Sequence, residues 1–163
     1  MVTNCISNTG PVLHLHAIDS VFLLKLFDSV RIPPEVEKEL QKHGVPEYDF
    51  IKTTELAPSS KDLTEALCLR FGLDLGESQA LTLAKQESGS IFFTDDLDAR
   101  EAAKIIGTRV HGTIGIILRN FREGELDKKD AIAKLYALRS TDMFLTSALV
   151  EEAVRAIERY PEK

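Results

Sequence analysis

Cysteine is scarce in this chain of 163 residues. Cys5 and Cys68 are the two present, too few for a disulfide framework and without the paired spacing of a zinc site. Both lie in apolar contexts, where a free cysteine is expected as a small core residue. No apolar run approaches the ~18 residues of a membrane span. The opening Met1-Val2-Thr3-Asn4-Cys5 has neither the basic start nor the apolar block of a secretory leader, so the expected location is the cytoplasm. A surplus of positive charge is also missing: the formal net charge is −6, which argues against a generally basic surface for nucleic acid. An enzyme that gathers acidic groups in its own site and meets phosphate through a bound cation stays open. There is no internal repeat, low-complexity tract or flexible linker. What is present is an apolar content of 44%, enough for a proper core in one domain spanning 1–163.

Short apolar runs alternate with helical periodicity. Residues 4–7, 30–32, 51–56, 91–94 and 109–111 read as strands, with 51–56 at an edge because of its lysine and threonines. Helices are expected over 12–18, 21–27, 35–42, 62–71, 77–86, 98–106, 114–122, 128–138 and from 146 or 147 through 157. Gly10-Pro11 marks a turn, Pro33-Pro34 places proline in the first turn of a helix, and Asp127 caps another. The tail from Tyr160 is expected to fray. Strands alternating with helices imply βαβ units, hence a mostly parallel sheet with helices on both faces.

The most informative stretch is Ile91-Phe92-Phe93-Thr94-Asp95-Asp96-Leu97-Asp98-Ala99-Arg100, an apolar strand that stops on two adjacent carboxylates and restarts as a helix. A parallel strand ending this way sets acidic side chains in the crevice where open α/β sheets bind ligands. Adjacent carboxylates repel unless something positive sits between them, and a divalent cation is the default reason to build such a spot. Asn8, Glu39 and Glu77 also lie near strand ends or helix starts, so convergence on one crevice is expected. Each has a plainer reading. Glu39 shares its helix with Glu35, Glu37 and Lys38 and fits a solvated face. Glu77 complements a helix dipole, and Asp95 and Asp98 can cap the helix they introduce, a role favoured for Asp98. His14 and His16 are two apart and make a poor metal pair, and His43 and His111 have no ligand pattern near them.

Five segments occur here in the order seen in PIN-domain proteins: Ile6-Ser7-Asn8-Thr9-Gly10-Pro11-Val12-Leu13, Ile32-Pro33-Pro34-Glu35-Val36-Glu37-Lys38-Glu39-Leu40, Leu75-Gly76-Glu77-Ser78-Gln79-Ala80-Leu81, Thr94-Asp95-Asp96-Leu97-Asp98-Ala99-Arg100 and His111-Gly112-Thr113-Ile114-Gly115. The chain resembles most the prokaryotic, VapC-like subgroup with a TDD-x-x-AR element. The resemblance covers a core of about 4–122, followed by a helical extension over 125–159. It implies a three-layer α/β/α sandwich around a mostly parallel four- or five-stranded sheet. It also implies an Mg²⁺- or Mn²⁺-dependent ribonuclease acting on RNA, in many relatives a toxin held by an antitoxin protein, and a homodimer. The apolar face of the last helix, Leu149, Val150, Ala153 and Ile157, needs a cover that a second copy or the body of the chain can supply.

Carried over by position, the resemblance gives Asn8, Glu39, Glu77 and Asp96 as catalytic residues and Glu77, Asp95, Asp96 and Asn8 as metal ligands. Thr94, Arg100 and Thr113 are substrate-side candidates, although an ion pair is the favoured role for Arg100 and a helix cap the favoured one for Thr113. Asn8 departs from the aspartate usual in the family. Its amide can ligate a hard cation but brings no charge and cannot act as a base, so a catalytically weak or inactive PIN fold serving as an RNA-binding or protein-interaction module is the alternative. Asp96-Leu97-Asp98 also resembles the nucleophile element of haloacid dehalogenase-type phosphatases, but it arrives late and is followed by Ala99-Arg100. Arg100, Lys104, Arg109, Arg119 and Arg122 fall in one stretch and suit either an RNA groove or ordinary solubilising charge.

Overall fold

Fully apolar runs make central strands and half-polar ones make edges. In a computed structural model describing residues 3–141 and 146–161, the chain runs β1 (Asn4–Ser7), α1 (Thr9–Ala17), a 3₁₀ turn (Val21–Leu26), β2 (Ser29–Ile32), α2 (Pro34–Lys42), β3 (Ile51–Thr53) and a second 3₁₀ turn (Pro58–Ser60). It continues through α3 (Lys61–Phe71), α4 (Leu75–Gln86), β4 (Ile91–Phe93), α5 (Leu97–Ile105), β5 (Arg109–His111), α6 (Thr113–Arg122), α7 (Lys128–Leu138) and α8 (Ser147–Arg159). The five strands form one parallel sheet in the order β3-β2-β1-β4-β5, the middle layer of an α/β/α sandwich. All of β4 is buried, whereas β3 exposes Lys52 and Thr53 at the edge.

Helix α4, buried along Ala80, Leu81, Thr82, Leu83 and Ala84, lies over β1 and β4, with α3 and α5 against it. On the other side, α6 packs on the first 3₁₀ turn and carries α7 and α8. Val150, Ala153 and Ile157 of α8 are buried in that stack together with Val154, whereas Leu149 stays exposed, so the apolar face that needed a cover finds most of it within the chain. Tyr160 meets Phe121 edge-on with ring centroids 5.3 Å apart, which anchors the start of the tail expected to fray; residues 162 and 163 lie outside the described residues.

Several boundaries differ from expectation, each for a capping reason. Gly10-Pro11 is not a turn: α1 begins at Thr9, whose N–H donates to the Asn8 Oδ1 at 2.8 Å, and Pro11 sits in the first helical turn where its missing N–H costs nothing. Helix α4 starts two residues before Glu77, because Asp74 and Glu77 form a reciprocal capping box. Helix α5 is capped by Asp96, through Ala99 N–H at 2.8 Å, and not by Asp98. The segment expected as a helix over 21–27 is a 3₁₀ turn. Cys5 is buried, but Cys68 is only half-buried, with its thiol 3.0 Å from the Ser78 hydroxyl. Among the described residues no helix is long and apolar enough to cross a membrane.

The chain order β1, β2, β3 runs outward in one direction, and β4 and β5 lie on the other side of β1. Strand order therefore reverses between β1 and β4, and the crevice outside their carboxyl ends is the expected ligand position. Asn8 follows β1 and Thr94-Asp95-Asp96 follow β4.

Candidate active site

The crevice can be traced contact by contact. Asn8, buried, extends the sheet by donating its N–H to Phe93 O at 2.9 Å. Its Nδ2 donates to the Thr94 Oγ1 at 3.2 Å, and that oxygen accepts the Asp96 N–H at 3.2 Å. On the far side of Asn8, the Thr9 hydroxyl donates to the Glu39 carboxylate. The Glu39 carboxylate in turn lies against the first turn of α4: a methyl group on Gly76 would stand 2.6 Å from its Oε1. Glu77 is the next residue. One series of contacts thus joins Asp96, Thr94, Asn8, Thr9, Glu39 and the Gly76-Glu77 turn, drawn from positions up to 88 apart in sequence.

Electrostatics report the same proximity. The Glu77 carboxyl is pushed up to about 7, first by burial and then by the negative charges of Asp74, Asp96 and Glu39, with the Asp74 backbone N–H pulling the other way. Glu77 accepts that N–H at 2.9 Å while its own N–H donates to the Asp74 Oδ1 at 2.8 Å.

An oxygen-only donor set of Asn8, Glu39, Glu77 and Asp96 suits a hard divalent cation, and a cation would relieve the crowding that raises Glu77. The residues fit in chemistry and in field. Among the described residues, however, no three His, Cys, Asp or Glu side chains are arranged to hold an ion as they stand. One oxygen of each carboxylate is held locally, Asp96 Oδ1 by Ala99 N–H, Glu77 Oε2 by Asp74 N–H and Glu39 Oε2 by the Thr9 hydroxyl.

Asp95 faces a separate cluster. Its Oδ1 accepts the Thr113 N–H at 2.7 Å, and its Oδ2 accepts the Thr113 hydroxyl and lies 2.7 Å from the His14 Nδ1. It therefore holds the start of α6, not of α5, and ties it to α1. Thr113 is the first residue of α6 and not its cap, which is Gly112. Gly112 is required small here, since a methyl group would stand 2.8 Å from the Asp95 Oδ1 and 2.9 Å from an Arg100 nitrogen. Arg100 donates to Thr94 O at 3.2 Å and forms no ion pair among the described contacts. Sequence reasoning missed His14, Thr9, Asp74 and Gly112. For Asp74 the D-x-x-E capping spacing was a usable signal; for His14 there was none.

The parallel α/β/α sandwich brings these acidic groups together beside its switch point, where open α/β sheets bind ligands. A family model described as PIN domain matches residues 4–159, and the chain belongs to the PIN-domain family. PIN domains are generally nucleases that use divalent metals. Among curated proteins none matches the chain.

Proposed function

We propose that this protein is a metal-dependent endoribonuclease that hydrolyses RNA phosphodiester bonds. The observation that carries the reading is the series of contacts running from Asp96 through Thr94, Asn8 and Glu39 to Gly76-Glu77 at the carboxyl edge of the sheet. A bound Mg²⁺ or Mn²⁺ supplies Lewis-acid activation of the phosphate and a lowered pKa for attacking water. Glu77 and Asp96 would hold the cation, Glu39 would ligate it directly or through water, and Asn8 would orient a water beside it. Thr94 keeps the Asn8 and Asp96 loops in register. Asp95, implied by the resemblance as a further ligand, acts here as a positioning residue through Thr113 and His14. Arg100 has donors beyond the one on Thr94 O with which to meet a substrate phosphate.

The test is Mn²⁺-stimulated cleavage of single-stranded RNA by the natural chain and by Asp96→Asn. Asparagine is as good a helix cap as aspartate, so the variant folds; loss of cleavage is expected, and undiminished cleavage excludes the assignment.

The finer reading is that of a toxin neutralised by an antitoxin protein, working as a homodimer in the cytoplasm where its RNA is. It predicts growth arrest on expression of the natural chain and none with Asp96→Asn, and a dimer by sedimentation at micromolar concentration. The dimer rests on the resemblance, since α8 spends all of its apolar face but Leu149 inside the chain. We also read residues 1–163 as one domain, with a core of about 4–122 and an extension over 125–159; the packing of α7 and α8 on α6 supports this.

One observation favours the alternative of a PIN fold without catalysis. Both functional atoms of the Asn8 amide are engaged, Oδ1 by Thr9 N–H and Nδ2 by Thr94, as in a structural cap. If Asn8→Asp creates a nuclease activity that the natural chain lacks, the alternative holds; robust activity in the natural chain defeats it.

A further inference from the structure

A chain of net charge −6 has little reason to gather arginines, yet the open edge of the sheet gathers four. Strand β5 is outermost, and Arg109 and His111, two apart on it, point to the same side. Helix α6 covers that side, with Gly115 so close that a methyl group would stand 3.3 Å from the His111 Nδ1. Arg119 follows Gly115 by one helical turn and Arg122 by two, so they continue the same line away from His111. At the other end of the line, Arg100 is fastened to Thr94 O beside the acidic crevice. The His111 imidazole is held below its ordinary range by burial and by the charges of Arg119, Arg109, Arg100 and Arg122, so all four guanidinium groups lie within electrostatic reach of one ring. Arg109 and Arg122 are exposed, Arg109 with one Nη2–H donated to Gly89 O at 3.0 Å and donors beyond that one, and the Glu123 carboxylate offsets Arg119 alone, at 3.1 Å. Past Arg122 the line opens into a groove of about 480 Å³ that adds Lys128, Lys129 and the Phe121–Tyr160 ring pair, with Asp127 as its one acidic lining residue.

We propose that this stripe, from Arg100 over the β5 edge to the groove at the end of α6, is the track on which a single-stranded RNA lies as it leaves the acidic crevice. The inference rests on the reading of the chain as acting on RNA. Guanidinium groups in a row follow a phosphate backbone, and aromatic rings at the end of a basic groove offer stacking faces to unpaired bases. The acidic crevice repels phosphate until a cation neutralises it, so the stripe supplies the attraction that the cutting site itself lacks.

The experiment is fluorescence anisotropy of a labelled single-stranded RNA oligonucleotide, titrated with protein in chelator and repeated over a range of salt. The natural chain is compared with Arg109→Gln/Arg122→Gln and with the matched exposed control Lys42→Gln/Lys61→Gln. Roughly tenfold weaker binding and a salt slope shallower by about 1.4 are expected for the arginine pair, two phosphate contacts at about 0.7 each on a single strand. Equal losses in both pairs, no loss in the arginine pair, or no RNA binding by the natural chain overturns the proposal. Chelator suppresses metal-dependent cutting, which separates the two readings. A chain that binds along the stripe but cuts no RNA with Mn²⁺ defeats the nuclease reading alone, and one that cuts RNA while the arginine pair binds unchanged defeats the track alone.

Discussion

Gly76→Ala separates folding from function at the proposed site. Gly76 is buried in the first turn of α4 with no positive φ, so alanine suits its backbone. The added methyl group would stand 2.6 Å from the Glu39 Oε1 and 3.2 Å from its Cδ, inside the ~3.5 Å at which such atoms rest. The carboxylate, as the end of a flexible side chain, must swing by about 1 Å, breaking or bending its bond from Thr9. Losing that bond costs about 1 kcal/mol, and replacing glycine in a helix returns up to ~1 kcal/mol, so stability stays within about 1 kcal/mol and Tm within ~4 °C. A displacement of this size at a reacting centre costs about 10²-fold in rate. Glu39→Asp, one methylene shorter, should restore part of the rate in the Gly76→Ala background while lowering it alone, a coupling that a double-mutant cycle reads directly. The assay is RNA cleavage under Mn²⁺ alongside thermal unfolding. A fully folded Gly76→Ala that cuts RNA at the natural rate refutes the placement of Glu39 in the chemistry.

The Glu77 carboxyl, raised from an ordinary 4.5 to about 7, makes the metal-free protein less stable as pH rises. The folded state binds the extra proton between these values, so the advantage is whole below pH 4.5 and lost as pH rises through about 7. For a half-exposed group this amounts to about 1–2 kcal/mol after solvent screening. Glu77→Gln, which can still accept the Asp74 N–H, should flatten Tm against pH over that window, and an unchanged slope would place the titration elsewhere. Gly112→Ala pushes on an Asp95 that is held on three contacts, so it should destabilise by ~1–3 kcal/mol in denaturant unfolding; a neutral result would mean that the Asp95 cluster is slack. Saturating Mn²⁺ should speed hydrogen exchange at the Ala99 and Asp74 amides, because the ion draws Asp96 and Glu77 away from them. Increased protection at both amides would refute capture by these two carboxylates.

What could be read in advance was local, and what could not was long-range. The strand at 91–93 and the helix at 128–138 declare themselves through an unbroken apolar run and through the Asp127 cap, signals contained within a few residues. The start of α4 lies two residues before the expected 77 because Asp74, between Gly72 and Gly76, caps the helix in a reciprocal box with Glu77. The convergence of Asn8, Glu39, Glu77 and Asp96 could be expected only from their order along strand ends and from resemblance; its distances come from packing α4 over β1 and β4. His14 binds Asp95 across 81 positions, and no local pattern announces such a pair. The arginines from 100 to 122 were visible as a list, but solubilising charge and a directed stripe have the same composition and differ only in the register of β5 against α6.

The same geometry explains how a crowded acidic crevice folds without a cation present to hold it. Three helices, α1, α4 and α5, begin at this edge, and their capping side chains are Asn8, Asp74 with Glu77, and Asp96. Each helix start presents unpaired N–H groups and the positive end of a dipole, so helix amides do in the metal-free state part of what an ion would do under the proposed reading. Each cap is worth about 1 kcal/mol, which sets the scale of the competition a cation must win for Asp96 and Glu77. An amide at position 8 reduces the negative charge the three helix starts must offset, and lowers the pull on a cation by the same charge. Asn8 therefore favours the stability of the empty crevice over the affinity of the filled one, which is why Asn8→Asp should tighten Mn²⁺ binding and lower the Tm of the metal-free protein together.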